Sequence, residues 1–261
     1  MATRPKDCGV QDLLWEPKKD RKWGLPAEHK YTGWVLPVNF DGKSFSLPLV
    51  TINPEAPKNE RISINWLDCR QSELGQAIGR DLGKLIAPLV DSNTILITPP
   101  SSKSIGMATQ ALATAIQVSG RHNLDLIKIS GGKTAEIGNQ FELQSDEIIA
   151  IPDMQLWHAM SKNGNRFGVN YTPVTRTRKS MWFSRKEQEL LAGKRVIAVD
   201  DVATTKATIS AWELLLSACE IKEEFIVTAA VEGEFQPETN HLAMIRIPEI
   251  RGGVDKAVIA R

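Results

Sequence analysis

Between Arg195 and Thr208 the chain reads RVIAVDDVATTKAT, and here residue types and spacing come nearest to a chemistry. The apolar run Val196 to Val199 ends on two adjacent carboxylates, Asp200 and Asp201. A continuous apolar run of this length suits a strand buried on both faces of a parallel sheet. Small and hydroxyl-bearing residues follow from Ala203 to Thr208, and then the amphipathic segment ISAWELLLSA. The expected unit is a strand, a tight loop and a helix, with the acids at the strand's carboxyl end. Open α/β sheets bind ligands at that edge. A helix N-terminus offers free backbone N–H groups, and with hydroxyls beside them it suits a phosphate. Paired carboxylates suit the hydroxyls of a ribose or a hydrated Mg²⁺. One loop would then hold a sugar and its phosphate.

This stretch resembles the phosphoribosyl-diphosphate (PRPP) signature of the type I phosphoribosyltransferases. In that family four apolar residues lead to two acids, two apolar residues and a loop such as TTGGT or DTGKT. This chain has VIAV, DD, VA and TTKAT. The resemblance implies that Asp200 and Asp201 hold the ribose hydroxyls and, directly or through water, Mg²⁺. It implies that Thr204, Thr205, Lys206, Ala207 and Thr208 bind the 5′-phosphate. Lys206 and Ala207 stand where the family usually has at least one glycine, the residue that admits positive φ and a close backbone approach.

Three further segments fall in the order the resemblance requires. In TILITPPSSKSIGMATQALATAI a strand leads through a polar loop to an alanine-rich helix. Ser102, Lys103 and Ser104 occupy the place of the family's pyrophosphate loop, whose acid this chain lacks. Read alone, that segment is equally an ordinary polar loop with Ser104 as a helix cap. LDLIKISGGKT follows as a strand and a glycine-rich turn, with Lys128 or Lys133 as the cation that approaches the pyrophosphate. GGKT also matches the tail of a P-loop, but Ile127 stands where its first glycine belongs. In YTPVTRTRKSMWFSRKEQELLAGKRVIAVDD a basic segment precedes a short strand at Met181 to Ser184. Arg176, Arg178 and Lys179 would form a lid that excludes water beside the leaving group. The competing reading of a basic run is a solvated surface loop.

The elements around these segments set the fold class. Apolar runs at Thr94–Thr98, Leu124–Ile129, Val196–Val199 and Phe225–Val231 alternate with helical patterns at Leu74–Val90, Met107–Val118 and Ile209–Cys219. Shorter runs at Glu147–Ile151 and Gly168–Thr175 also read as strands. Such alternation predicts an α/β protein with a doubly wound, mostly parallel sheet. Residues 1–65 are rich in proline and turns and carry Trp15, Trp23 and Trp34. WVLPVNF and SFSLPLVTI flank Asp41-Gly42 as the strands of a hairpin. The expected division is an N-terminal β-rich extension over 1–65 and a phosphoribosyltransferase-like domain over 66–261. The stretch after Glu232 is expected to cover the base site as a hood.

Lys and Arg number 32 against 31 Asp and Glu, so bulk attraction to nucleic acid is not expected. No apolar run nears the roughly 20 residues of a membrane helix, and MATRPKDCGVQDLL lacks a signal-peptide core. Cys8, Cys69 and Cys219 are far apart, without metal or disulfide spacing, so a cytoplasmic setting is expected. His29, His122, His158 and His241 are scattered, and no GxSxG or HExxH occurs. The resemblance therefore implies transfer of ribose 5-phosphate from PRPP to a base, in a homodimer. The basic segment before the acidic strand looks more like the adenine and xanthine enzymes, which points to a purine, with Trp157, Trp182 and Phe235 as aromatics able to stack it. Two alternatives stand beside this: a non-enzymatic regulator that binds PRPP or a nucleotide, and a P-loop nucleotidase using Lys133.

Overall fold

The structure is a computed structural model that describes residues 11–12, 16–17, 31–52, 72–100, 104–133, 142–143, 150–151, 154–161, 164–171, 179–203, 207–232 and 240–247. In chain order the first elements are the short strands β1 (Gln11–Asp12) and β2 (Glu16–Pro17), then β3 (Tyr31–Phe40) and β4 (Lys43–Ile52). Next come helix α1 (Ser72–Ile86), strand β5 (Thr94–Thr98), helix α2 (Ser104–Ser119) and strand β6 (Asp125–Lys128). A run of strands follows: β7 (Ser130–Lys133), β8 (Glu142–Leu143), β9 (Ala150–Ile151), β10 (Met154–Ser161), β11 (Gly164–Tyr171) and β12 (Lys179–Ser184). Helix α3 (Arg185–Leu191), strand β13 (Arg195–Ala203), helix α4 (Ala207–Ser217), and strands β14 (Glu223–Glu232) and β15 (His241–Ile247) complete the chain.

The central sheet has the order β1-β15-β14-β13-β5-β6, and every adjacent pair is parallel. From β5 the chain moves outward to β6. It then returns to the other side of β5 at β13 and moves outward again through β14 and β15. The order thus reverses between β5 and β13, the switch point of a doubly wound sheet. The α/β class expected from the sequence is the class observed.

Each face of this sheet has its own core. On one face Leu96, Ile197, Val199, Val227 and Ile245 meet α1 through Ile78 and Leu82, and α2 through Met107, Ala108 and Ala111. The two helices approach closely because α1 carries Gly79 and Gly83. A Cβ on Gly79 would stand 2.6 Å from the Met107 carbonyl, and one on Gly83 2.6 Å from that of Ala111. On the other face Ile95, Ile97, Val196, Ala198 and Ile226 meet α4 through Trp212 and Leu215.

Over that second face lies a second sheet of order β7-β12-β11-β10-β8, with β9 also paired to β10, and all its pairings are antiparallel. The expectation that strands near 147–151 and 168–175 join the parallel alternation is corrected here. Only residues 162 and 163 separate β10 from β11, enough for a hairpin and far too few for the crossover a parallel pair needs. Of the stretch after Glu232 expected as a hood, residues 241–247 form β15, a parallel strand of the central sheet with alternating burial, and residues 233–239 and 248–261 lie outside the described residues. Strands β10, β11 and β12 cover the second face of the sheet through Leu156, Val169, Met181 and Phe183.

Asp41 and Gly42, both at positive φ, make the turn between β3 and β4, where left-handed backbone suits the twist of a two-residue hairpin loop. Val38 and Phe40 from this hairpin enter the core beside α1. Asp41 accepts from Arg80 and, at 3.0 Å, from Lys84, both on α1. Those hydrogen bonds, Lys84 first and Arg80 second, hold its carboxyl below the usual range against a smaller opposing effect of burial. At the sheet's amino edge Arg195 joins three elements. It pairs with Asp91 at 3.2 Å and Glu223 at 2.6 Å, and donates to the Leu89 carbonyl at 2.8 Å.

Candidate functional site at the sheet's switch point

β13 delivers Asp200 and Asp201 to the carboxyl edge of the sheet, next to the reversal of strand order. Asp200 lies opposite Thr228 of β14. Thr228 is buried and shares a hydrogen bond of 2.9 Å with the imidazole Nε2 of His241. Both acids are half-buried. Each turns one carboxylate oxygen onto the next backbone amide: Asp201 N donates to Asp200 Oδ1, and Val202 N to Asp201 Oδ1, both at 2.9 Å. These local bonds coincide with a break in the strand's alternation. Val199 packs on the α1 and α2 side. A regular pleat would send Val202 to the opposite face. Val202 instead joins the α1 and α2 side and Ala203 the α4 side. The acids therefore sit where the pleat slips.

Beyond them, Thr204, Thr205 and Lys206 lie outside the described residues. Ala207 opens α4 and Thr208 follows it, half-buried. Positive φ at non-glycine positions is confined, among the described residues, to Asp41 and Glu220. Ala207 thus occupies an ordinary first helical position, and a glycine's conformational freedom is not required there.

On the neighbouring side of the switch point β5 ends at Thr98, followed by Pro99 and Pro100. Ser102 and Lys103 lie outside the described residues, and Ser104 is the first residue of α2. Lys128 is exposed and ends β6, on the far side of β5. Lys133 ends β7 and Lys179 begins β12, and the two are direct partners across that antiparallel pair. A residue read as facing the pyrophosphate and one read as lid are thereby neighbours in one sheet. Arg176 and Arg178 lie outside the described residues. The strand that carries Lys133 touches the switch point through Gly131, where a Cβ would stand 2.4 Å from the Pro100 ring. That contact brings the second sheet to the loop leaving β5.

Two readings need correction. Gly131, Gly132 and Lys133 are strand residues paired respectively with Met181, Ser180 and Lys179 on β12, not a loop opening a helix. A P-loop needs its glycines free to wrap phosphates with backbone N–H groups. The nucleotidase reading of Lys133 therefore falls. Trp157 and Trp182 are not open to a stacked base. Both are partners of Gly168 across their strands, both are buried, and their rings lie 6.1 Å apart. Phe235 lies outside the described residues.

Sequence reasoning passed over Thr98 and Pro100. The signal was present, as a hydroxyl at the end of an apolar strand followed by two prolines. It also passed over the Ser184–Glu187 pair that opens α3 as a capping box, readable as S-x-x-E.

The chain matches no protein-family model and no curated protein. It is similar in structure to an adenine phosphoribosyltransferase from Giardia lamblia complexed with 9-deazaadenine. The TM-score is 0.48 at 12% identity, over 76% of this chain and 93% of that one. It is similar to an adenine phosphoribosyltransferase from Saccharomyces cerevisiae complexed with an imino-altritol bisphosphate and adenine. There the TM-score is 0.44 at 15% identity, over 81% and 94%. A hypoxanthine phosphoribosyltransferase from Staphylococcus aureus gives 0.38 at 12%, over 67% and 73%. The functional reading rests on the site's own residues. Among the described residues no helix is long and apolar enough to cross a membrane.

Proposed function

We propose that this protein transfers ribose 5-phosphate from PRPP to a nitrogenous base of the purine class and releases pyrophosphate. One observation carries the reading. The paired acids lie near the carboxyl end of β13, beyond its last residue paired with β5, and the chain reaches the N-terminus of α4 at Ala207. Ribose hydroxyls would take the carboxylate oxygens of Asp200 and Asp201. The 5′-phosphate would take Thr204 to Thr208 and the free N–H groups of the first turn of α4.

In the reaction the bond from ribose C1 to the pyrophosphate oxygen breaks and a ring nitrogen of the base bonds to C1. Positive charge gathers on the ribose ring as the leaving group departs, as in glycoside cleavage. Catalysis is then chiefly positioning and electrostatics. The acids would fix the ring, and Lys103, with Lys128 or Lys133, would face the pyrophosphate. Arg176, Arg178 and Lys179 would close over it. Among the described residues no three His, Cys, Asp or Glu gather as a metal cage. Two carboxylates fit Mg²⁺ in the manner of an ion that arrives on its substrate's phosphates and keeps several waters. Asp200 and Asp201 would hold it, and it would supply charge neutralisation of the pyrophosphate.

A second reading is a regulator of the same fold that binds PRPP or a nucleotide without turnover. Lys206 in place of glycine in the phosphate loop favours it.

Calorimetry with PRPP, with and without Mg²⁺, combined with a nucleobase panel and a pyrophosphate-release assay, separates the two. Release with a purine supports the transferase, and binding without release supports the regulator. Asp200→Asn with Asp201→Asn is expected to abolish release and leave the melting temperature near that of the parent. Retained turnover in that double variant would remove the acids from the mechanism.

A further inference from the structure

Asp200 has a buried polar neighbour that the proposed reaction does not use. Asp200 and Thr228 are register partners on the adjacent parallel strands β13 and β14. Register partners carry their side chains on one face, and neighbouring strands lie roughly 4.8 Å apart. That face is the α4 side. Ala198, two residues before Asp200, and Ile226, two before Thr228, both belong to its core. His241 of β15 shares the face, two residues before Ala243 of the same core. Asp200, Thr228 and His241 thus follow one another across three strands.

Thr228 is 1% exposed and His241 5%. A hydroxyl so deeply buried needs a partner, and a bond to a carboxylate is of the stronger, charge-assisted kind. Across the strands Thr228 has two candidates, the Asp200 carboxylate and the His241 imidazole. Among the described residues its hydrogen bond is to the imidazole Nε2, at 2.9 Å. A β-branched side chain has few χ1 rotamers. The bond that holds Oγ1 at the imidazole therefore keeps it from turning to the carboxylate. Asp200 Oδ1 already accepts from Asp201 N at 2.9 Å. A further donor on that carboxylate would compete with a ligand's hydroxyls for it.

We propose that His241 is a positioning residue: by holding the Thr228 hydroxyl it keeps that donor off Asp200, so that the carboxylate receives the hydroxyls of a sugar. Naming a sugar rests on the function proposed above.

The test is titration calorimetry of the full chain with Mg²⁺ and, separately, PRPP, ribose 5-phosphate and inorganic pyrophosphate, on the parent, His241→Phe, Thr228→Val and the double variant. In His241→Phe the hydroxyl turns to Asp200. PRPP and ribose 5-phosphate should then bind about tenfold more weakly, the size of one hydrogen bond to a charged group. Pyrophosphate, which has no sugar, should bind as before. Adding Thr228→Val removes the displaced hydroxyl and should return both sugar affinities to the parent's. Thr228→Val alone should bind all three like the parent. A second core deletion does not cure a packing defect, so that rescue separates positioning from a structural role. If phenylalanine prevents folding, His241→Leu removes the same imidazole in a smaller side chain. Unchanged sugar affinity in a folded variant without the imidazole, or a weakening that the double variant keeps, overturns the proposal and leaves the transferase reading standing. Equal weakening of pyrophosphate also overturns it, as does weaker sugar binding in Thr228→Val alone. A parent that binds neither PRPP nor ribose 5-phosphate overturns both the proposal and the transferase reading.

Discussion

Glu224 sits at the amino end of β14, largely buried, with Oε1 lacking a hydrogen-bond partner. Burial first, and the Glu213 carboxylate of α4 second, push its carboxyl up from 4.5 to about 7. Each tenfold step in proton affinity is roughly 1.4 kcal/mol, so ionising this group in the fold costs at most about 3.5 kcal/mol relative to the unfolded chain. The residue keeps some contact with water, which makes that figure a ceiling. The folded value lies above the unfolded one. Between them the native state holds more protons, and stability falls as pH rises. The contribution is fully present below about pH 4.5, declines towards pH 7, and is gone above it. Glu224→Gln keeps the shape and removes the charge. Urea unfolding of both proteins at pH 4.5, 6, 7 and 8 is the assay. The variant should match the parent at pH 4.5 and exceed it at pH 8 by 1 to about 3 kcal/mol, a large part of an ordinary domain's stability. Parallel curves, with a constant difference across that range, would show that Glu224 titrates normally and would refute the reasoning.

Other perturbations test the packing around the site. A Cβ at Gly168 would stand 2.2 Å from the Trp157 ring, which packs against Trp182. Gly168→Ala should therefore cost roughly 1–3 kcal/mol through overpacking and shift tryptophan fluorescence; an unchanged denaturation midpoint would contradict the register. Ser184→Ala removes the cap whose Oγ accepts from Glu187 N at 3.3 Å. It should cost about 1 kcal/mol by chemical denaturation, and no loss would mean that α3 is held by its packing alone.

The sequence by itself determined the strand, acid pair and helix at 195–217, because an apolar run, two carboxylates and an amphipathic period are local signals. It determined the α/β class, since alternating strand and helix patterns leave few other layered solutions. The hairpin at Asp41-Gly42 was equally legible, from a turn dipeptide between alternating residues. Only the tertiary structure decided which strands lie side by side. Strand order depends on crossovers between distant segments, and neither β5 nor β13 carries a local mark of its neighbour. That order makes the acids a switch-point feature and brings Thr98 to the same edge. Tertiary structure also decided that strands β7 to β12 form an antiparallel sheet over one face of the parallel one. There GGK became strand and two tryptophans were buried over a glycine. Their period was visible in the sequence, but the surface they pack on was not. Glycines show the same division. A glycine in a turn can be read from its neighbours, whereas Gly79, Gly83, Gly131 and Gly168 are required by what lies across from them, which only the folded chain supplies.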